Sequence, residues 1–194
     1  MSFKVFRLQS LSELDTLPVA VIKHYPLEKR DYKPYAQCNI CLDDQSLFVR
    51  MWAFEVSPPQ GSELRGVFYL FPAQPELALA LSMRPDGSCA FSLLEEGEPR
   101  AINPPPGFVL HPHSGEDLQG VYWGGLAVLP FDWLESLGGQ LNLEGGAEFS
   151  GNFYKLCPGP QMAHSGSFFP ADFICAPYTR DSAGLFVVAT PTTF

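Results

Sequence analysis

Residues 120–156 read GVYWGGLAVLPFDWLESLGGQLNLEGGAEFSGNFYKL, and this stretch decides the fold. Its first apolar run ends at Pro130, which lacks the N–H that a sheet requires and so marks the end of a strand. Asp132 then suits the first turn of a helix, and the glycine pair 138–139 is typical of a helix end. The stretch therefore predicts a strand, a short helix, a glycine-rich loop and a second strand.

The β-rich pattern continues upstream, most clearly in a hairpin. Residues 35–42 and 47–55 are two apolar runs, and the polar turn 43–46 joins them, as in a β-hairpin. Successive side chains of a strand point to opposite faces. Both faces of residues 47–55 carry large side chains, so we expect both faces to be covered.

Across the whole chain, the short apolar runs predict about ten strands and one short helix. The 16 Phe, 19 Pro and 17 Gly among 194 residues favour short strands and irregular loops over long helices. Residues 95–107 are polar and rich in proline, so they are interpreted as a loop. We expect an all-β fold, a two-sheet antiparallel β-sandwich of immunoglobulin or jelly-roll type, forming one domain over residues 1–194.

The composition narrows the range of partners and compartments. A net charge of −9 disfavours nucleic acid and anionic membranes, because both bind proteins chiefly through Lys and Arg. The first residues hold no apolar segment typical of a signal peptide, and no apolar run is long enough to span a membrane. Five cysteines without a framework spacing are typical of reduced proteins. We therefore expect a cytoplasmic protein.

Patterns typical of catalysis or metal binding are weak. Cys38 and Cys41 have the CxxC spacing of zinc and redox sites, but in a strand they would point to opposite faces, so we interpret them as core thiols. The GxSxG motif of hydrolases is absent from the sequence. The acids at 95–98 and 116–117 fit solvated turns better than a pair of glycosidase carboxylates. We expect no catalytic residue and no metal ligand.

Aromatic side chains next to polar ones favour a sugar-binding surface instead. Sugars present weakly polar C–H faces and a rim of hydroxyl groups, so their sites combine aromatic rings with hydrogen-bonding side chains. Trp52 near Arg50 is one such combination, and residues 152–155 followed by His164 are another. The alternative interpretation, that these rings belong to the core, stays open.

The chain resembles the family 9 carbohydrate-binding modules. The resemblance is carried by residues 35–55, the turn PDG at 85–87, WGGLAVLPFDWL at 123–134, GNFYK at 151–155 and residues 164–170. It implies a β-sandwich that binds sugars, often attached to a glycoside hydrolase, sometimes with structural calcium, and without catalysis of its own. The family holds its sugar between two Trp rings, and this chain has Phe168 and Phe169 where relatives tend to have Trp.

The predicted ligand-binding residues are Arg50, Trp52, Asn152, Tyr154, Lys155, His164 and Phe168. Their rings would stack on a sugar, and the other side chains would bond its hydroxyls. The expected partner is a small sugar or glycan, together with a glycoside hydrolase or a second copy of the chain; no cofactor is expected beyond that calcium. Two alternatives remain: a protein-interaction domain that kept the fold and lost the sugar site, and a hydrolytic or hydrolase-associated protein.

Overall fold

The computed structural model describes residues 2–31, 33–159 and 162–190, and within them the chain forms fourteen strands, one α-helix and two short 3₁₀ helices. The strands are β1 (Ser2–Arg7), β2 (Ala20–Ile22), β3 (Tyr35–Leu42), β4 (Ser46–Phe54), β5 (Glu63–Tyr69), β6 (Leu77–Met83), β7 (Cys89–Glu95), β8 (Glu98–Ile102), β9 (His111–Pro112), β10 (Gly115–Asp117), β11 (Gly120–Pro130), β12 (Glu148–Cys157), β13 (His164–Ser167) and β14 (Gly184–Val188). The helix α1 spans Phe131–Gly138, and the 3₁₀ helices span Leu11–Thr16 and Arg180–Ser182.

The strands form one curled mixed sheet rather than two separate antiparallel sheets. The order is β10-β11-β4-β3-β1-β14-β12-β5-β6-β7-β8, with β13 beside β12, β2 beside β3 and β9 beside β11. Strand β1 runs parallel to β14 through residues 2–5 and parallel to β3 through residues 6–7. It thereby joins the two halves of the sheet. The predicted all-β class with one short α-helix is confirmed, whereas two separate antiparallel sheets are not. Side-chain alternation is the same in parallel and antiparallel pairs and does not reveal strand direction.

One apolar core joins both halves of the curled sheet. Val49 on β4 packs in the same cluster as Phe68 on β5 and Phe186 on β14. The ring centroid of Phe186 lies 6.0 Å from that of Phe153 and 5.2 Å from that of Phe149. Aromatic pairs at such separations each contribute about 0.5–1.5 kcal/mol beyond their buried area. These contacts fix β12 against its neighbours β5 and β14.

The strand–helix–loop–strand stretch forms as predicted. Strand β11 ends at Pro130, α1 follows immediately, and Gly139 has a φ of +91°, which favours glycine at a helix end. Gly138 packs so close to Phe71 that a side chain at this position would overlap the ring. Leu134 faces inward from α1 and is fully buried. One glycine therefore ends the helix by its conformation, and the other allows the helix to approach the core.

The predicted hairpin is formed by β3 and β4, and both faces of β4 are covered. The carboxylate of Asp43 accepts hydrogen bonds from the backbone N–H groups of Gln45 and Ser46, both at 2.7 Å, which closes the turn. Cys38 lies in the main core, whereas Cys41 packs in a second apolar cluster. Burial raises the pKa of the Cys41 thiol to about 12 and also raises the pKa of the Cys38 thiol. The interpretation of both as core thiols is confirmed.

The expected loop at residues 95–107 is wrong in its first half, because residues 98–102 form β8 and pair with β7. The connection between the strands is the two-residue turn Glu96 and Gly97, with φ values of +53° and +88°. Two positive φ values match the twist of a tight β-hairpin. The polar composition of β8 reflects its position at the end of the sheet, where its side chains are mostly exposed.

Candidate functional site

Two pockets share the connection between β4 and β5, which covers residues 55–62. The Arg65 pocket, about 340 Å³, is lined by Gly61, Glu63, Arg65, Arg84, Leu156, Cys157, Pro158, Ser165 and Tyr178. The Glu55 pocket, about 290 Å³, is lined by Arg30, Pro34, Glu55, Val56, Ser57, Pro59, Met162 and His164. A larger cavity of about 430 Å³ lies beside α1, but its polar wall includes side chains such as that of Asp44, which is 91 % exposed.

The Arg65 pocket is built by the pairing of β5 with β6. Glu63 and Arg65 are two residues apart on β5, so their side chains share one face. Leu64 points to the other face and into the core. Because Leu64 pairs with Met83, Arg84 follows directly at the position beside Glu63. The register between two strands therefore brings one carboxylate and two guanidinium groups together.

A hydrogen-bond network fixes one oxygen of the Glu63 carboxylate. Arg65 Nε donates to Glu63 Oε1 at 2.7 Å and to Ser82 Oγ at 3.1 Å, and Ser82 Oγ donates to the same carboxylate oxygen at 2.8 Å. Arg84 Nη2 lies 3.8 Å from Glu63 Oε2, beyond hydrogen-bond distance. The Arg84 side chain is 47 % exposed. The second carboxylate oxygen and the Arg84 guanidinium are thus available to a ligand.

Tyr178 supplies an aromatic wall to the same pocket. The Arg65 guanidinium carbon lies 4.6 Å from the centroid of its ring, within cation–π range. The Tyr154 ring meets the Tyr178 ring edge-on at 5.2 Å, and Tyr69 Oη donates to the Tyr178 carbonyl at 2.9 Å. Burial raises the pKa of Tyr178, so its phenol stays protonated at neutral pH and can donate a hydrogen bond.

A buried ionic cluster lies behind the Glu55 pocket. Glu55 Oε2 accepts hydrogen bonds from Ser62 Oγ and Trp123 Nε1, both at 2.9 Å, and lies 3.2 Å from Lys155 Nζ. Lys155 Nζ also donates to Ser62 Oγ at 2.6 Å and lies 3.0 Å from His164 Nε2. Lys155 is fully buried. Several hydrogen bonds accompany this ion pair, as a charge pair removed from water requires.

Burial also decides the protonation of His164. It lowers the pKa of the imidazole, and the neighbouring Lys155 charge lowers it further. A neutral ring fits both contacts: Nδ1 donates to the Met162 carbonyl at 2.8 Å, and Nε2 accepts from Lys155. Burial lowers the pKa of Lys155 as well, while Glu55 opposes this effect. The cluster thus holds one ammonium, one carboxylate and one neutral imidazole.

The structure brings the predicted residues together in pairs rather than in one site. Lys155 and His164 meet in the ionic cluster, as described above. Arg50 and Trp52 lie together on the face of β4 that points away from the core, with the guanidinium carbon 5.0 Å from the Trp52 ring. Arg50 Nη1 also contacts Asp15 Oδ1 at 2.6 Å, and its Nε donates to Asn39 Oδ1 at 3.0 Å.

The other three predicted residues lie elsewhere. Asn152 Nδ2 donates to the carbonyls of Phe169 and Ser182 at 3.0 and 2.7 Å, and Tyr154 Oη donates to the Pro177 carbonyl at 2.6 Å. Phe168 packs in the core. All seven side chains belong to residues that are at most 8 % exposed. Their role as direct sugar contacts stays a prediction.

The residues that line the Arg65 pocket were not predicted as site residues from the sequence. Glu63 and Arg65 do carry a local signal, since two charges alternate at the start of the otherwise apolar strand ELRGVFY. Charges at alternate positions share one face of a strand. Arg84 and Tyr178 carry no such signal, because their approach depends on the β5–β6 register and on the path of the segment before β14.

The described residues contain neither a cluster of metal-ligating side chains nor a helix that could span a membrane. Within residues 2–31, 33–159 and 162–190, no three His, Cys, Asp or Glu side chains are arranged so that they could hold a metal ion. The structural calcium implied by the resemblance therefore has no such ligand set in this part of the chain. None of the helices described above is both long and apolar enough to cross a membrane.

Comparison with known proteins gives matches in structure only. Neither the known family models nor the curated proteins yield a match. Among solved structures, a candidate carbohydrate-binding protein from Bacteroides uniformis ATCC 8492 superposes with a TM-score of 0.75 at 12% identity, covering 96% of this chain and 98% of that one.

Two structures of a family 9 carbohydrate-binding module from Caldicellulosiruptor kristjanssonii are also similar, each at 10% identity. The cellotriose complex has a TM-score of 0.58, with 99% of this chain and 95% of that chain covered. The glucose complex has a TM-score of 0.56, with 100% and 98% covered. At such identities the likeness establishes architecture, and the chain has a fold like that of the family 9 carbohydrate-binding modules.

Proposed function

We propose that the whole chain is a single non-catalytic carbohydrate-binding domain, and that a neutral sugar binds in the Arg65 pocket. The observation that carries the proposal is the convergence of Glu63, Arg84 and Tyr178 on one pocket of about 340 Å³. Ligand pockets typically start near 300 Å³. The fold supports the same role, since two similar structures hold cellotriose and glucose.

Each group in the pocket has a matching part in a sugar. The planar guanidinium of Arg84 can donate two parallel hydrogen bonds, which suits two neighbouring hydroxyl oxygens. Glu63 Oε2 can accept from a third hydroxyl. Tyr178, Leu156 and Pro158 supply apolar wall for the C–H face of the ring. The Arg65–Glu63–Ser82 network holds the carboxylate in place before a ligand arrives, which lowers the entropic cost of binding.

Binding without hydrolysis fits the set of acids at this pocket. Glycosidases generally place two carboxylates on opposite sides of the bond that they cleave. Among the described residues that line the Arg65 pocket, Glu63 is the only carboxylate. A single carboxylate that is already bonded to Arg65 suits hydroxyl recognition better than proton transfer. We therefore assign the pocket a binding role.

The test is calorimetry of the chain against a panel of neutral mono- and disaccharides. We expect binding by the unchanged chain, and loss of about tenfold or more in affinity for Arg84→Ala, because a charged hydrogen-bond donor contributes roughly 1.5–3 kcal/mol. Arg100→Ala is the matched control, since Arg100 is 62 % exposed in a surface ion pair on β8. No binding to any sugar by the folded chain, or equal affinities of both variants, would refute the proposal.

A protein-interaction domain is the second candidate function. The observation that favours it is the burial of the rings expected to stack on a sugar: Trp52, Tyr154 and Phe168 are at most 8 % exposed. A chain that kept the fold without a sugar site would fail the calorimetric panel and would instead associate with itself or with a partner. Sedimentation velocity over a range of concentrations separates the two candidates, because only the second requires an interface.

A further inference from the structure

The Glu55 pocket is a second cavity whose residues take no part in the proposed sugar contact. Glu55 and His164 of the ionic cluster line this pocket, and none of its lining residues lines the Arg65 pocket. Its cavity of about 290 Å³ has polar groups at the base and apolar groups at the rim. Binding pockets typically combine a largely apolar wall with a few fixed polar groups.

Glu55 provides a free acceptor at the base of this pocket. Its Oε2 oxygen makes all the protein contacts described above, to Ser62, Trp123 and Lys155. Among the described residues, Oε1 has no hydrogen-bond partner, although the residue is only 9 % exposed. Oε1 is not sealed inside the protein either, because Ser167 Oγ is the only fully enclosed, unpartnered side-chain polar atom in the described chain. Oε1 is therefore accessible to solvent, and Glu55 is one of the residues that line the pocket.

The charges around the pocket favour a neutral donor for this oxygen. The carboxylate of Glu55 is balanced by the Lys155 ammonium at 3.2 Å. The Arg30 guanidinium is balanced by Glu28, and the same pairing lowers the pKa of the Glu28 carboxyl to about 2. Because each of these charges already lies beside its counterion, neither a cationic nor an anionic ligand would meet an unpaired opposite charge in the pocket. A hydroxyl group satisfies Oε1 without adding a charge.

The rim of the pocket supplies the apolar part of the contact. Val56 is 79 % exposed and Met162 is 39 % exposed, which is unusual for large apolar side chains at one small opening. Pro34 and Pro59 add rigid apolar surface between them. These side chains would cover one face of a small ring, while the opposite edge of the ring reaches the carboxylate.

We propose that the Glu55 pocket binds a neutral ring compound through a hydroxyl group. The hydroxyl donates its hydrogen bond to Glu55 Oε1, and the body of the ring packs against Val56 and Met162. Two sources share this chemistry: a sugar residue, which carries hydroxyls around its ring, and an apolar cyclic alcohol with a single hydroxyl. The site stands on its own observations and does not require that the Arg65 pocket bind sugar.

The test is methyl NMR with two probes, methyl β-glucoside for the sugar and cyclohexanol for the apolar alcohol. We expect saturable shifts of the Val56 and Met162 methyl signals with at least one probe. A stronger response to methyl β-glucoside assigns the pocket to sugars, and a stronger response to cyclohexanol assigns it to apolar alcohols. Both probes fail to shift these signals if the proposal is wrong.

Val56→Asp and Val109→Asp form a matched pair of variants for the same measurement. Both valines are exposed, at 79 % and 64 %, so neither change should prevent folding. Val56→Asp puts a carboxylate into the apolar rim, and we expect it to weaken probe binding by about tenfold or more, read from the Met162 signal. Val109→Asp and Arg84→Ala should leave binding unchanged. Equal affinities of the two Asp variants, or loss of the response with Arg84→Ala, would overturn the proposal.

Discussion

At the scale of the single residue, Lys155 is the side chain whose loss should cost the most. It is fully buried and carries its charge against Glu55. We expect Lys155→Met to lower the free energy of unfolding by about 3–5 kcal/mol, because the Glu55 carboxylate would be left buried without its partner. Urea denaturation followed by tryptophan fluorescence measures the change.

Two further variants separate the ion pair from simple loss of a side chain. Lys4→Met removes a lysine from an exposed position on β1 and should change the unfolding free energy little. The double variant Lys155→Met with Glu55→Gln removes both charges, so it should be more stable than Lys155→Met alone. A single variant as stable as the unchanged chain would show that the cluster carries no buried charge.

Single residues also show which parts of the candidate site cannot be predicted from the sequence. Glu63 and Arg65 alternate within one strand, so their common face can be predicted from spacing alone. Arg84 reaches Glu63 only through the register of β5 with β6, and a one-residue slip would place it on the other face. Lys155 and His164 belong to one predicted sugar-contact group because their segments are close in the chain, but the ion pair of Lys155 depends on Glu55, which lies in the distant connection after β4.

At the scale of the element, the end of α1 allows a test of whether core packing outweighs the helix propensity of a residue. Replacing glycine by alanine inside a helix usually stabilises it by about 1 kcal/mol. At position 138 the added methyl group would overlap the Phe71 ring. We therefore expect Gly138→Ala to destabilise the protein by about 1–3 kcal/mol, as overpacking does. Thermal unfolding measures the sign of the change.

The control lies in the same helix. Ser136 is exposed on α1, and Ser136→Ala should stabilise the helix slightly or leave it unchanged. The outcome that contradicts the packing argument is a Gly138→Ala variant that is more stable than the unchanged chain.

Elements whose ends are marked by proline or glycine in the sequence were predicted well. Elements that form only because a neighbouring strand pairs with them were not. Pro130 and Gly139 mark the ends of β11 and α1 in the sequence itself. The strand β8 is polar and follows a turn whose first residue, Glu96, has no preference for the positive φ that it adopts. Nothing within residues 98–102 shows that β7 is available to pair with them.

At the scale of the whole molecule, stability should fall as the pH drops through the range of histidine titration. Burial lowers the pKa of His164, and the nearby Lys155 charge lowers it further. Burial likewise lowers the pKa of His113, and the nearby Arg50 charge lowers it further. The unfolded chain therefore binds more protons than the folded one below the ordinary pKa of 6.5, and the free energy of unfolding decreases there. The pKa of the Glu28 carboxyl is about 2, against an ordinary 4.5. The stability that this carboxylate contributes is therefore lost only at more acidic pH.

Urea denaturation at a series of pH values between about 7.5 and about 5.5 checks this dependence. His113→Gln should make the decrease shallower, while His111→Gln, at an exposed position on β9, should leave it unchanged. A free energy of unfolding that stays constant over this range, or that rises toward acid, contradicts the expected sign.

The position of β1 has a consequence for how the protein is made. Ser2 pairs with Leu185, and Phe6 pairs with Cys41. On the ribosome, β1 can join β3 early, but its other edge has no partner until β14 has emerged. Contacts between distant parts of a chain form slowly. Until they form, an unpaired strand edge can pair with other nascent chains. Pairing with β14 is thus the step that covers the remaining edge of β1.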